Sequence, residues 1–98
     1  MITGKTSNGF EYSIDERTLN DYEFVESIVL AENGENPREK MVAAIKLANY
    51  LLGAEGKKIL LAKIKKENDG WVPQEKVYEE VFEIIREIMK QNAKAKNS

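Results

Sequence analysis

The chain is predicted to be a mostly α-helical single domain in which an N-terminal β-hairpin packs on four helices. Three observations carry that expectation. The stretch Val77 to Met89, VYEEVFEIIREIM, keeps its apolar residues on one side of a helix: at about 100° per residue, Val77, Val81, Ile84 and Ile88 form one stripe, and Tyr78, Phe82, Ile85 and Met89 form a second beside it. Asn36, Pro37 and Glu39 combine a capping residue, a proline suited to the first helical position and an acid one turn in. Phe10, Tyr12 and Ile14 alternate with Glu11 and Ser13 straight after Asn8-Gly9, the pattern of a strand leaving a tight turn.

Length and composition bound the rest. A chain of 98 residues makes one domain, placed at 1–90, with 91–98 as a disordered polar tail. With 42% apolar and 33% charged residues it reads as globular, and no apolar run approaches the roughly 18 residues of a membrane span. The first residues, MITGKTSNG, lack the apolar core of a signal peptide, so a cytoplasmic protein is expected. Cysteine and histidine are both absent, which removes thiol nucleophiles, the commonest general base and the strongest metal ligands. No enzyme activity, catalytic residue, cofactor or metal is therefore expected.

Element by element, the hairpin is placed at about 2–14, with both residues of Asn8-Gly9 expected at positive φ and the first strand polar and weak. An isolated hairpin is marginal in water, so Phe10, Tyr12 and Ile14 should lie on helices or on another chain. The first helix, 18–33, starts at Thr18 with Asp21 completing a variant capping box; its stripe is Leu19, Tyr22, Val25, Ile28 and Val29, and Phe24 lies away from it, touching the hairpin or a loop. Gly34 ends it as a left-handed residue. The second helix, 37–52, buries Met41, Ile45, Ala48 and Leu52, flanked by Val42, Ala44 and Leu51. Gly53 to Gly56 make a tight corner into a third helix, 55–67, whose Ile59, Leu60, Leu61 and Ile64 face one way and whose lysines take the rest. Asp69-Gly70 turns the chain, Trp71 is placed as a lid over the end of the bundle, and the fourth helix spans 73–91.

Two chemical patterns at the corner fall short. Gly53-x-x-Gly56-Lys57-Lys58 lacks the four residues between glycines, the Ser or Thr after Lys and the preceding strand of a phosphate-binding loop. A helix-turn-helix would set Lys57, Lys58, Lys63, Lys65 and Lys66 on a reading helix that has no Arg, Asn or Gln to offer base edges. The net charge of −2 and pI near 5.3 also oppose a general nucleic-acid footprint, so nucleic-acid binding is not expected. Charge is nonetheless segregated: Met1 to Glu35 holds Lys5 and Arg17 against eight acids, which can steer a partner or a second copy of the chain.

The order of parts resembles the small tail assembly chaperones of long-tailed, siphovirus-type phages and prophages. Its carriers are the start Asn8-Gly9-Phe10-Glu11-Tyr12-Ser13-Ile14-Asp15-Glu16, an acidic amphipathic helix, the Leu51-Leu52-Gly53 break and the Gly70-Trp71-Val72-Pro73 approach to the last helix. The resemblance implies a non-enzymatic, self-associating helical protein that coats the tape measure protein and helps tail tube subunits assemble, in many families with a longer frameshifted form. It transfers no catalytic or ligand-binding residue. The candidate interaction residues come from the sequence itself: the apolar arc of the last helix spans roughly 160°, more than one neighbour covers, so Tyr78, Phe82, Ile85 and Met89, with Trp71, are candidates for protein contact. A homo-oligomer is expected. The alternatives are a small helix-turn-helix-like DNA-binding regulator and a helical adaptor for one fixed partner.

Overall fold

A computed structural model describes the backbone of residues 1–97 and the side chains of residues 1–91. The alternating N-terminal segment pairs as an antiparallel hairpin, β1 (Ile2–Lys5) with β2 (Glu11–Ile14), in the register Ile2 to Ile14 and Lys5 to Glu11. The turn is longer than a two-residue one. The Gly9 N–H donates to the Thr6 carbonyl at 2.9 Å and the Thr6 N–H to the Phe10 carbonyl at 2.9 Å. Only Gly9, at φ 89°, has the positive φ expected of both Asn8 and Gly9, because the extra residues relieve Asn8 of the need. Phe10, Tyr12 and Ile14 are buried in the chain's own core, so the hairpin is ordered from within.

A 3-10 turn, Glu16–Asn20, precedes α1 (Tyr22–Asn33). The helix expected from Thr18 therefore starts later. Asp21, read as the far member of a capping box, is itself the cap, and its side chain accepts from the Phe24 N–H at 3.2 Å. This moves the buried face to Phe24, Ser27 and Ile28, with Ala31 packed against it. Phe24, expected off the stripe, is among the largest fully buried side chains, while Tyr22, Val25 and Val29 are exposed. Gly34 ends α1 in an extended conformation, φ −61° and ψ 138°, not a left-handed one. Glycine suits it for space instead: a Cβ there would lie 2.6 Å from the Leu30 carbonyl oxygen.

α2 (Pro37–Glu67) opens as the sequence indicates, with the Asn36 side chain accepting from the Arg38 N–H at 2.9 Å and Pro37 at its start. The second and third helices of the expected four are limbs of this one element, so the described residues form three α-helices. The expected corner shrinks to Gly53, at φ 67° and ψ 179°, a region essentially closed to side-chain-bearing residues. Limb 37–52 buries Ala43, Ala44, Leu47, Ala48 and Leu51; Met41 and Ile45, expected inside, are exposed. Small residues on both partners explain the choice. Ser27 and Ala31 on α1, with Ala43, Ala44 and Ala48 on α2, permit close helix approach that Met41 or Ile45 in the seam would hold apart. The Tyr50 hydroxyl donates to Glu23 across the same pair, a bond that raises the phenol's pKa.

The turn after α2 places Asp69 at φ 54° and Gly70 at φ 93°, with the Gly70 N–H donating to the Lys65 carbonyl at 2.9 Å. α3 (Gln74–Asn97) then buries Val81, Ile84, Ile85 and Ile88, against Leu47, Leu51, Leu60, Ile64 and the hairpin side chains in a single core. The predicted disordered tail, 91–98, falls outside the described side chains apart from Gln91. The hairpin turn is fastened to α3 by Ser7, whose N–H and hydroxyl donate to the two carboxylate oxygens of Glu83 at 2.8 and 2.6 Å. Those bonds hold the Glu83 carboxyl below the usual carboxylate range.

Candidate protein-interaction surface

The five candidate residues separate. Ile85 is in the core at 4% exposure, and Phe82 packs half-buried against that core. Tyr78 is half-buried, whereas Met89 and Trp71 are exposed. Trp71, at 64% exposure, is not the expected lid. Its neighbour Val72 makes the core contact instead, because the turn at Asp69 and Gly70 aims alternate residues inward. The stripe read from the last helix is thus spent in part on the chain's own core, and its free end is at Met89.

That end does not stand alone. Met89 and Ile85 border an open groove of about 690 Å³ whose opposite wall is Ile28 and Glu32 of α1. Val25 and Val29 share a helical face with Ile28 and Glu32, by the spacing of 25, 28, 29 and 32, and they are 43% and 52% exposed. Of the stripe that periodicity assigned to the core of α1, Ile28 is buried and Leu19 packs against the core, while Tyr22, Val25 and Val29 face solvent. On the outer side of the α1–α2 pair, Leu30 and Val42 line a smaller apolar cleft of about 290 Å³, and Met41 and Ile45 are exposed on limb 37–52. The sequence carried a signal for all of these: α1 and α2, like α3, have apolar residues over a wider arc than one neighbour covers.

No group of three or more His, Cys, Asp or Glu side chains among the described residues is arranged to hold a metal ion. No described helix is long and apolar enough to cross a membrane. Of the basic residues near Gly53, Lys57 donates to Asn49 at 2.8 Å and Lys63 pairs with Glu67 at 3.0 Å. The fold and surface define a helical domain with a β-hairpin and apolar stripes left outside its core. No family model, curated protein or solved structure matches the chain.

Proposed function

We propose that the protein is a non-catalytic assembly factor that binds an elongated, apolar helical client and self-associates through the same surface. The observation that carries this is the exposure of Val25 and Val29 in register with the groove between α1 and α3. Single exposed hydrophobics are ordinary, but a helically spaced row beside a groove that sets Ile28, Ile85 and Met89 among the charged Glu32, Arg86, Glu87 and Lys90 is a form in which a protein receives an amphipathic helix. Met89 at the rim adds a flexible side chain that adapts to more than one partner.

Within that class, the order of sequence parts favours a tail assembly chaperone of a long-tailed phage or prophage, working in the host cytoplasm. Its client is then the tape measure protein, whose apolar helical stretches it keeps covered until tail tube subunits close around them. Chaperoning of this kind needs adaptable apolar surface and solubility and no bond-making chemistry, which fits a chain without cysteine or histidine.

Co-expression with a tagged tape measure fragment tests the reading. The parent chain should co-purify with the fragment, and Val25→Ser/Val29→Ser should lose capture while keeping its helical circular dichroism. Light scattering should show the parent shifting from a larger species to monomer in the same variant. Undiminished capture by the double variant would remove α1 from the interface, and no capture by the parent would remove the client.

A further inference from the structure

A second cavity, nearer the start of α3 than the groove at Ile85 to Lys90, is of a different kind. It measures about 430 Å³ and lies where the hairpin turn (Ser7, Asn8) and the end of α2 (Ile64, Glu67, Asn68) meet the first turns of α3. Four carboxylates line it, Glu67, Glu79, Glu80 and Glu83, against the single ammonium of Lys76. Three of the four have partners. Glu83 accepts twice from Ser7; Glu67 accepts from Asn8 at 3.0 Å and from Lys63 at 3.0 Å; Glu79 lies 3.9 Å from Lys76. Glu80 differs. It is only 6% exposed, and its buried Oε1 has no hydrogen-bond partner among the described residues.

An unpaired carboxylate withdrawn from water is costly unless a donor reaches it. Position 80 shares a helical face with the apolar Val77, Val81 and Ile84, by the spacing of 77, 80, 81 and 84. We infer that the cavity is a cation site and that Glu80 anchors a guanidinium group. A divalent metal is disfavoured by geometry, since the carboxylates do not converge as a ligand set. An ammonium is the poorer match as well: the Lys76 ammonium, already at the wall, reaches Glu79 and leaves Glu80 without a partner. A guanidinium presents five N–H donors in a plane and can serve Glu80 and a neighbouring carboxylate of the cavity wall at once. The volume falls in the range of small-ligand pockets and accommodates an arginine side chain. This site is independent of the apolar groove and of the client proposed for it.

The probe is N-acetyl-arginine N-methylamide, an arginine side chain on a neutral backbone, titrated into the ¹⁵N-labelled full chain and followed by NMR. Agmatine, a free small-molecule guanidinium, forms the second arm, and the capped lysine analogue forms the third. The capped arginine should shift the amides of Ser7, Asn8, Asn68 and Glu79 to Glu83 saturably, with a Kd on the order of 1 mM, as befits a single charged group. Glu80→Gln should weaken that binding at least about tenfold, the loss expected when one partner of a buried charged pair is removed. It should also melt no lower than the parent, because it discards a buried unpaired charge; that melt separates lost binding from lost folding. Stronger binding of capped arginine than agmatine assigns the site to a protein side chain, and the reverse assigns it to a free metabolite. Either result supports a guanidinium site. A linear, unsaturated response, shifts centred elsewhere, equal binding by Glu80→Gln, or capped lysine binding as well as capped arginine would each overturn the inference.

Discussion

α1 and α3 begin with the same resource, apolar residues over more than one face, and use it differently. In α3 the stripe of Val81, Ile84 and Ile88 is fully buried and the adjoining one is half-covered, with Ile85 inside and Phe82 against the core. In α1 the buried face is Phe24, Ser27 and Ile28, and the more uniformly apolar row of Tyr22, Val25 and Val29 is outside. Hydrophobic periodicity shows that a segment is a helix with an inner face. Which face is inner depends on what it must fit against, and in α1 that face combines the large Phe24 with the small Ser27.

Paired substitutions put the largest expected effect on that contrast. Ile84→Ala empties a fully buried position in α3 and should cost about 2 to 5 kcal/mol, with a clear drop in melting temperature. Val25→Ser on the exposed row of α1 should change stability by less than about 1 kcal/mol. Thermal melts by circular dichroism would break the comparison if the two losses were alike. Phe82→Ser should fall between them, since the ring is half in the core. A Phe82 that served only as a contact residue for a partner would instead leave the melt unmoved.

Gly53 sharpens the comparison because α2 serves both helices. Limb 37–52 is joined to α1 through Tyr50 and Glu23, and limb 54–67 ends beside α3 at the acidic cavity. The change of direction between them rests on a φ of 67°, and a Cβ at Gly53 would meet nothing within 4 Å. Gly53→Ala should therefore cost about 1 to 3 kcal/mol through backbone conformation alone. A chemical denaturation midpoint equal to the parent's would mean that the two limbs can straighten without loss.

Much of this architecture was legible from local chemistry. The alternation of Phe10, Tyr12 and Ile14, the Asn36-Pro37 start, the break at Gly53 and the Val81, Ile84, Ile88 stripe each rest on a residue's own backbone or burial preference. The inner faces of α1 and limb 37–52 were not legible, since Ser27, Ala43, Ala44 and Ala48 contribute little hydrophobic signal and act by being small. The exposure of Trp71 depended on the geometry of one turn. The acidic cavity was hidden for another reason: Ser7 and Glu83 are 76 residues apart, and only the folded hairpin turn brings them together.

The smallest predicted effect concerns that long-range contact, and it sets the polar flank of α3 against its apolar one. Ser7 lowers the pKa of Glu83 from the ordinary 4.5, first through its hydroxyl and then through its N–H. A carboxyl whose folded pKa is depressed adds stability above its unfolded pKa and loses it as pH falls through the folded value. The contribution should be whole at neutral pH and fade below about pH 4.5, as the carboxylate is protonated. Ser7→Ala removes the hydroxyl and leaves the N–H, so the difference from the parent should be below about 1 kcal/mol at this accessible site. Melting temperatures of the two proteins should differ most near pH 7 and converge towards pH 3. A gap that stays constant across that range would mean that Ser7 acts through turn geometry and not through the charge of Glu83. Ile84→Ala, which carries no charge, should show such a constant gap, and the two variants together distinguish the flank held by charge from the flank held by packing.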